Sequence, residues 1–261
     1  MSNPYQVTLF RAEQSQKLRN VRMHSPSIIQ IISGSKRLFW KDSAIDVSHS
    51  KLLLSDASAS LSFENLPQKG RFLSRVFSFH CLPPESMLEL SRNNGQGEET
   101  LLLSATSGLQ DILNALFSFD QYNMSNETRT FWVMGLYQQL AELGALHQLF
   151  SDVNTLFSQK LSRYLSLSPS EEHALETVAI HFAMSRATLI RKLKQEGTQY
   201  REVLAEVRLN HALSLIQSGT RNIALLAQSC GYQSEGRFSQ RFKGKFGLTP
   251  KDYIKTVATS F

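Results

Sequence analysis

Only two cysteines occur in 261 residues, and they stand far apart at Cys81 and Cys230, each inside an apolar pattern. That excludes a disulfide framework and a paired Cys-x-x-Cys site, and an ordinary buried thiol is the expectation for each. No stretch approaches the ~20 apolar residues that span a bilayer, and residues 1–11 hold no basic start followed by an apolar run. The expected location is the cytoplasm, with no membrane partner. The chain also lacks a glycine-rich phosphate loop and a nucleophile elbow, so neither an enzyme nor a cofactor is expected. His24, His49 and His80 match no zinc spacing and have no carboxylate in a fixed relation to them, so no metal site is expected.

Charge, in contrast, is plentiful and unevenly shared. From Lys160 to the end there are 15 Lys and Arg against 8 Asp and Glu, a net +7, whereas the first 159 residues hold 13 against 14, a net −1. A basic module joined to a nearly neutral one indicates that one half meets a polyanion, either nucleic acid or an anionic membrane surface.

Over residues 5–82 the apolar residues come in short runs with β-branched and aromatic members: Ile28 to Ile32, Leu38-Phe39-Trp40, Lys51 to Leu54 and Phe72 to Phe79. Turn chemistry separates them at Ser33-Gly34-Ser35, Lys41-Asp42-Ser43, Asn65-Leu66-Pro67 and Lys69-Gly70. The expectation is a small antiparallel sandwich or barrel. Pro83-Pro84 closes the region, and Asn93-Asn94-Gly95-Gln96-Gly97 reads as an exposed loop. Helical spacing then takes over within residues 106–150. Leu109, Ile112, Leu113, Leu116 and Phe117 form one face, and after a break at 123–126 Phe131, Met134, Leu136, Tyr137, Leu140 and Leu143 form another. The breadth of the second face means burial against the β region, or burial combined with self-association. A polar hinge, Ser-Leu-Ser-Pro-Ser at 166–170, precedes an expected helix start at Glu171-Glu172. The division expected is 1–155 and 160–261, with the boundary between 151 and 170. The fold class is α+β, a small β sandwich or barrel with helices followed by an all-α C-terminal domain.

The informative feature is an internal near-repeat, offset by 49 residues. One copy runs Leu175, Val178, Ala179, Phe182, Met184-Ser185, Leu189 and Leu193; the other runs Ile223, Leu226, Ala227, Cys230-Gly231, Tyr232-Gln233-Ser234, Phe238 and Phe242. Each is an apolar helix, a tight turn and a second helix opening on serine, the logic of a helix-turn-helix. Small Ala179 and Ala227 permit close approach, Gly231 can take a positive φ, and Ser185 and Ser234 can cap the second helices. The recognition helices are expected over 185–196 and 234–246. Ser185, Arg186, Ala187, Ile190, Arg191 and Lys194 face outward on the first, and Ser234, Glu235, Gly236, Arg237, Ser239, Gln240, Arg241 and Lys243 on the second. A stretch at 200–217 would make a connecting helix about 27 Å long, suited to holding both on one side of a duplex.

Met184-Ser185 through Gly197, then Arg208-Leu209, Ala212 and 223–232, and finally Phe238-Ser239-Gln240-Arg241-Phe242-Lys243 with Phe246-Gly247-Leu248-Thr249-Pro250 and Tyr253, resemble the AraC/XylS family of bacterial regulators. The resemblance covers about the last 95 residues. It implies sequence-specific binding of promoter DNA, contact with RNA polymerase and, most often, activation. It also implies that Ser185, Ala187, Ile190 and Arg191 touch bases or phosphates, Arg191 being suited to guanine. Two departures stand out. Ala187 and Ile190 are small or apolar, and Glu235-Gly236 open the second helix with a carboxylate and a bare backbone, leaving Arg237, Arg241, Lys243 and Lys245 for phosphates. That keeps open a second reading, a regulator-interacting protein with weakened base readout. A third, a cupin-type enzyme fused to a DNA anchor, would need a metal.

The N-terminal half is similar, more weakly, to the sensing halves of the virulence and acid-resistance subset, at residues 26–34 and 65–72. This implies a cupin-like sensing or dimerising domain with a homodimer contact through the helices of 106–150. It also implies a fatty-acid-like effector in a pocket of Leu53, Leu61, Phe63, Phe77 and Phe79, with Lys36, Arg37 or Arg75 at its mouth. The same apolar residues would equally serve as a core.

Overall fold

The computed structural model describes residues 3–57, 59–95, 101–120, 122, 124–150 and 156–257. Residues 96–97 of the expected loop, Asn123 of the expected helix break and 151–155 at the start of the expected boundary lie outside the described residues.

Eight strands come first: β1 (Tyr5–Ala12), β2 (Gln16–Arg22), β3 (Ser27–Ser33), β4 (Ser35–Trp40), β5 (Ser43–Val47), β6 (Lys51–Ser55), β7 (Ser60–Leu66) and β8 (Phe72–Phe79). The turns have the chemistry their composition implies. Lys41 and Asp42 both take positive φ, 44° and 60°, as a two-residue hairpin of this hand requires. Gly34 has φ 77°, and a Cβ there would lie 2.6 Å from the Leu66 carbonyl oxygen. Asn65 and Leu66 are not a turn, however; they complete β7, and the chain reverses at 67–70.

A ninth strand, β9 (Leu102–Ser104), lies beyond the expected end of the β region. Three residues carry too little periodicity to be seen in sequence, and pairing with β6 is what makes them a strand. The strands form two antiparallel sheets, of order β1-β8-β3-β6-β9 and β2-β7-β4-β5. Alternation assigns their faces. Ile29, Ile31, Leu53, Phe72 and Val76 of the first sheet meet Leu18, Leu38, Val47, Leu61 and Phe63 of the second. On the outer face of the first sheet, Ile28, Leu52, Leu54, Phe77 and Phe79 pack beneath helices.

Those helices are α1 (Glu85–Asn94), α2 (Ser107–Asp120), α3 (Asn126–Glu142) and α4 (Leu146–Leu149). The sequence gives little sign of α1: Asn93 and Asn94, expected in a loop, are its last turn, and its buried face holds only Leu88 and Ser91. α3 buries Val133, Leu136, Tyr137, Leu140 and Ala141, but Phe131 and Trp132 on its other side remain 78% and 42% exposed.

The C-terminal half is helical: α5 (Phe157–Ser166), α6 (Leu175–His181), α7 (Arg186–Gln195), α8 (Tyr200–Gln217), α9 (Ile223–Ser229), α10 (Glu235–Phe246) and α11 (Pro250–Thr256). α6 begins at Leu175 rather than at Glu171-Glu172. Arg208 explains why: its guanidinium donates to the Pro169 and Glu171 carbonyls, holding that segment as a turn that leads into the helix. The unforeseen α5 is capped from a distance. The Glu196 carboxylate accepts from the Phe157 and Ser158 amides at 2.7 and 2.8 Å, 38 residues or more away in sequence.

Two cores result. Phe157, Leu161, Leu165, Val178, Ala179, Leu189, Leu193, Val203 and Val207 enclose the first helix-turn-helix. The second, with Ala212, Ile216, Leu226, Phe238, Phe242, Phe246 and Tyr253, shares one continuous core with the interior of the β sandwich. Both cysteines are free; Cys230 is buried in that shared core and Cys81 is half-buried.

The copies differ at the turn. The offset is 48 residues between α6 and α9 but 49 between α7 and α10, the second turn being one residue longer. Ala183 and Gly231 occupy matching left-handed positions, φ 50° and 71°. Alanine there costs ~1–2 kcal/mol, offset in part by the ~0.4–1 kcal/mol that glycine loses in chain entropy. Ala183→Gly should therefore stabilise the protein by about 0.5 kcal/mol. Gly231→Ala should destabilise it by about 2 kcal/mol or more, because its Cβ would fall 2.6 Å from the Arg208 guanidinium that donates to the Gly231 carbonyl. Urea unfolding of both variants checks this; shifts of equal sign would contradict it.

Candidate nucleic-acid interface

Both recognition helices open on a capping serine. Ser185 Oγ accepts from the Thr188 amide at 3.2 Å, and Ser234 Oγ from the Arg237 amide at 3.4 Å. Each cap satisfies an N-terminal amide that has no partner inside the helix, which fixes where the helix starts and which residues its first turn presents. Leu189 and Leu193 on α7, and Phe238, Phe242 and Phe246 on α10, are fully buried. With those positions turned inward, geometry leaves the remaining faces to solvent.

Thirteen of the fourteen expected contact residues are exposed: Ser185, Arg186, Ala187, Ile190, Arg191 and Lys194 on the first unit, and Ser234, Glu235, Gly236, Arg237, Gln240, Arg241 and Lys243 on the second. Ser239 departs from the expectation; it is half-buried beside Phe238. Ile190, 48% exposed, is an apolar side chain held open toward solvent on an otherwise basic helix. That suits contact with a thymine methyl group better than a hydrogen bond. Arg186 pairs with Glu176 on α6 at 2.6 Å. Both side chains are more than half exposed, so the pair is worth ~0–1 kcal/mol and a phosphate can replace the carboxylate.

The opening of α10 is bare. Among the described residues, the one atom near a Cβ built on Gly236 is Ser234 Oγ, at 3.8 Å, so the backbone there can approach a partner closely. Glu235 puts its carboxylate at the positive end of the helix, which favours the helix but opposes a phosphate. Lys245 does not join the basic face: it is half-buried and paired with Glu206 of α8. Arg208 and Glu196, which the sequence marks only as part of the family pattern because their partners are distant in the chain, brace this interface without belonging to it.

On the β side, the residues expected to line one pocket divide between two cores. Leu53, Leu61 and Phe63 face the interior of the sandwich, whereas Phe77 and Phe79 lie under the helices. The cations divide too. Arg37 is on the surface, bidentate to Asp46. Arg75 stacks on Phe117 and donates to Asn114. Lys36 alone faces inward and is fully enclosed: its Nζ donates to Asn65 Oδ1 at 2.5 Å and sits 3.4 Å from the centre of the Phe63 ring. Burial, with no carboxylate to offset it, lowers the amine to about 7. Asn65 donates in turn to Gln16, and Gln16 to Thr256 on α11, a path of hydrogen bonds from the sandwich interior to the C-terminal domain.

Residues 178–256 match the family model described as a helix-turn-helix domain. Over 80 residues the chain is 38% identical to the porin thermoregulatory protein EnvY of Escherichia coli K12, covering 31% of this chain and 32% of EnvY. It is 38% identical over 89 residues to the HTH-type transcriptional regulator GadX of Escherichia coli O6:H1, covering 34% of this chain and 32% of GadX. The C-terminal unit is an AraC-type helix-turn-helix domain. A 24% identity over 175 residues links 67% of the chain to 54% of the urease operon transcriptional activator of Escherichia coli. The chain thus spans about a third of the length of EnvY and GadX, the AraC-type domain alone.

The likeness of fold runs further. The structure of ToxT from Vibrio cholerae superposes with a TM-score of 0.63 at 17% identity, covering 98% of this chain and 99% of that one. ToxT in an unsaturated fatty acid-bound form gives 0.64 at 16% identity, covering 99% and 98%. The cupin-like sandwich followed by an AraC-type domain is therefore a shared architecture over nearly the whole chain.

Proposed function

We propose that this chain is a cytoplasmic, sequence-specific DNA-binding transcription regulator, an activator, in which 1–155 sense an effector and dimerise and 160–261 bind promoter DNA. The observation that carries the reading is the doubled AraC-type unit. Two serine-capped helices, each with a buried stripe and an exposed basic or small-residue face, are joined by the 18-residue α8. Such a pair suits two successive major grooves about one helical turn, ~34 Å, apart. Arg191 takes the role of base reader on α7, whereas Arg237, Arg241 and Lys243 hold phosphates, which gives affinity without sequence information. RNA polymerase is the partner that activation requires.

A fatty-acid-like carboxylate is the effector favoured by Lys36. The support is the enclosed amine, held by an amide oxygen and the Phe63 ring rather than by a carboxylate, together with the fatty acid bound by ToxT, which has this fold. A carboxylate entering the sandwich would replace Asn65 as the partner of Lys36 and, through Gln16, reach α11. The second partner is another copy of the chain, joined through the helices of 106–150 at exposed Phe131 and Trp132.

Three measurements follow. A genome-wide map of bound DNA should show sharp peaks sharing a two-part motif, lost with Arg191→Ala; on one such site that change should cost ~1–3 kcal/mol, while Lys243→Ala weakens specific and random DNA alike and lowers the salt slope by ~1. A diffuse map unchanged by Arg191→Ala would transfer the weight to the regulator-interacting reading. Calorimetry at pH 8 with a long-chain monounsaturated fatty acid should show proton uptake on binding, because a carboxylate restores the charge of an amine lowered to about 7. Lys36→Met should abolish both uptake and binding, and retained binding refutes the effector site. Sedimentation should show a dimer that Phe131→Ser with Trp132→Ser converts to a monomer; a wild type that stays monomeric refutes the dimer face.

A further inference from the structure

We propose that strand β2 is a positioning element for the second recognition helix: Arg19, Asn20 and Arg22 hold the C-terminal end of α10, so that the N-terminal half sets the angle between α10 and α7. This rests on the DNA-binding reading above.

The strand is built irregularly where it meets the helix. Its register with β7 shifts between Leu18 and Val21, and Asn20 takes φ 54°, a conformation that asparagine tolerates better than most residues. The Asn20 amide is kept by Ser62 Oγ at 3.2 Å. This bulge aims two successive side chains at α10. Arg19 donates to the Gly244 carbonyl and Asn20 Nδ2 to the Lys245 carbonyl, both at 3.4 Å. These are carbonyls of the last helical turn, which lack partners inside the helix and carry the negative end of its dipole, so a guanidinium and an amide are the groups they require. The approach is close enough to constrain the next residue. Gly247, at φ 91°, would place a Cβ 3.2 Å from Arg19 Nε.

One carboxylate ties three elements together. Glu206 on α8 receives Arg22 from β2 at 3.1 Å and Lys245 from α10. All three side chains are more than two-thirds buried, so the cluster is screened far less than a surface pair. One turn further along α8, Asn210 Nδ2 donates to the Arg22 carbonyl at 2.9 Å and lies 2.7 Å from His24 Nε2. Every one of these contacts is on the C-terminal end of α10 or on α8. The contact-bearing half of α10, with Gly236, Arg237 and Gln240, is left exposed. The strand therefore grips the helix without covering its reading face. Among the described residues, the apolar core of the first unit contains none before Phe157, although Glu206 stands between its Val203 and Val207 on α8. Movement within the β sandwich would be transmitted to α10 more directly than to α7, which none of these contacts touches.

The test uses the full chain and the two-part duplex that the wild type selects from a random pool. A companion duplex has the part read by α10 scrambled, that part being identified by the interference pattern that Gln240→Ala changes. Arg22→Glu should lower affinity for the two-part duplex about tenfold, and leave affinity for the companion duplex within about twofold of wild type. Arg22→Glu combined with Glu206→Arg should restore the loss. Asn20→Gly keeps the backbone conformation while removing the amide, and should give a smaller loss with the same selectivity. Equal losses on both duplexes, an unchanged affinity or a gain would overturn the proposal. Amide hydrogen exchange decides the structural part without DNA: Arg22→Glu should speed exchange at 243–247 while leaving 189–193 unchanged, and uniform or absent change overturns it. If the wild type selects no sequence, the DNA-binding reading fails, and the exchange result still shows whether β2 holds α10.

Discussion

The phenylalanine stripe of α10 is the contact on which the rest of the molecule depends. Phe238, Phe242 and Phe246 stack along one side of the helix, with ring centres 5.9 and 4.7 Å apart, and all three are fully buried. They close the second helix-turn-helix and simultaneously lie in the core that continues into the β sandwich. Truncating such a ring to alanine typically costs ~3–5 kcal/mol. Here a single residue would loosen both a helix-turn-helix unit and its attachment to the N-terminal half.

That shared core makes the two copies of the motif unequal partners. The first closes on itself, with α5 stapled by Glu196 and α6 led in by Arg208. It exposes Arg191, Lys194 and Ile190. The second opens with Glu235-Gly236, and it is fastened to the sandwich by apolar packing, by the Glu206 cluster and by the path from Lys36 through Asn65 and Gln16 to Thr256. On the proposed reading, an effector held at Lys36 would act on this second unit.

The division between what was legible and what was not follows the range of the interactions involved. The two helix-turn-helix units, their capping serines, the buried Leu189–Leu193 and Phe238–Phe242 positions and the positive φ of Gly231 could all be read from the sequence. They depend on periodicity and on interactions within a few residues, and thirteen of the fourteen outward positions followed from those buried stripes. The strands around Ile28, Leu38, Leu52 and Phe72 were legible for the same reason.

The amino-acid sequence by itself determined most of the elements, the doubled motif and the side chains that its second helices expose, because each is set by local backbone preference and by the need to bury one face. Only the tertiary structure decided that β9 is a strand, that Glu196 caps a helix 38 residues away, and that Phe63 and Phe77 serve different cores. It also decided that Lys245 belongs to Glu206 and that β2 grips α10. Each of these is a contact between groups remote in the chain, and its energy appears only when folding removes both partners from water together.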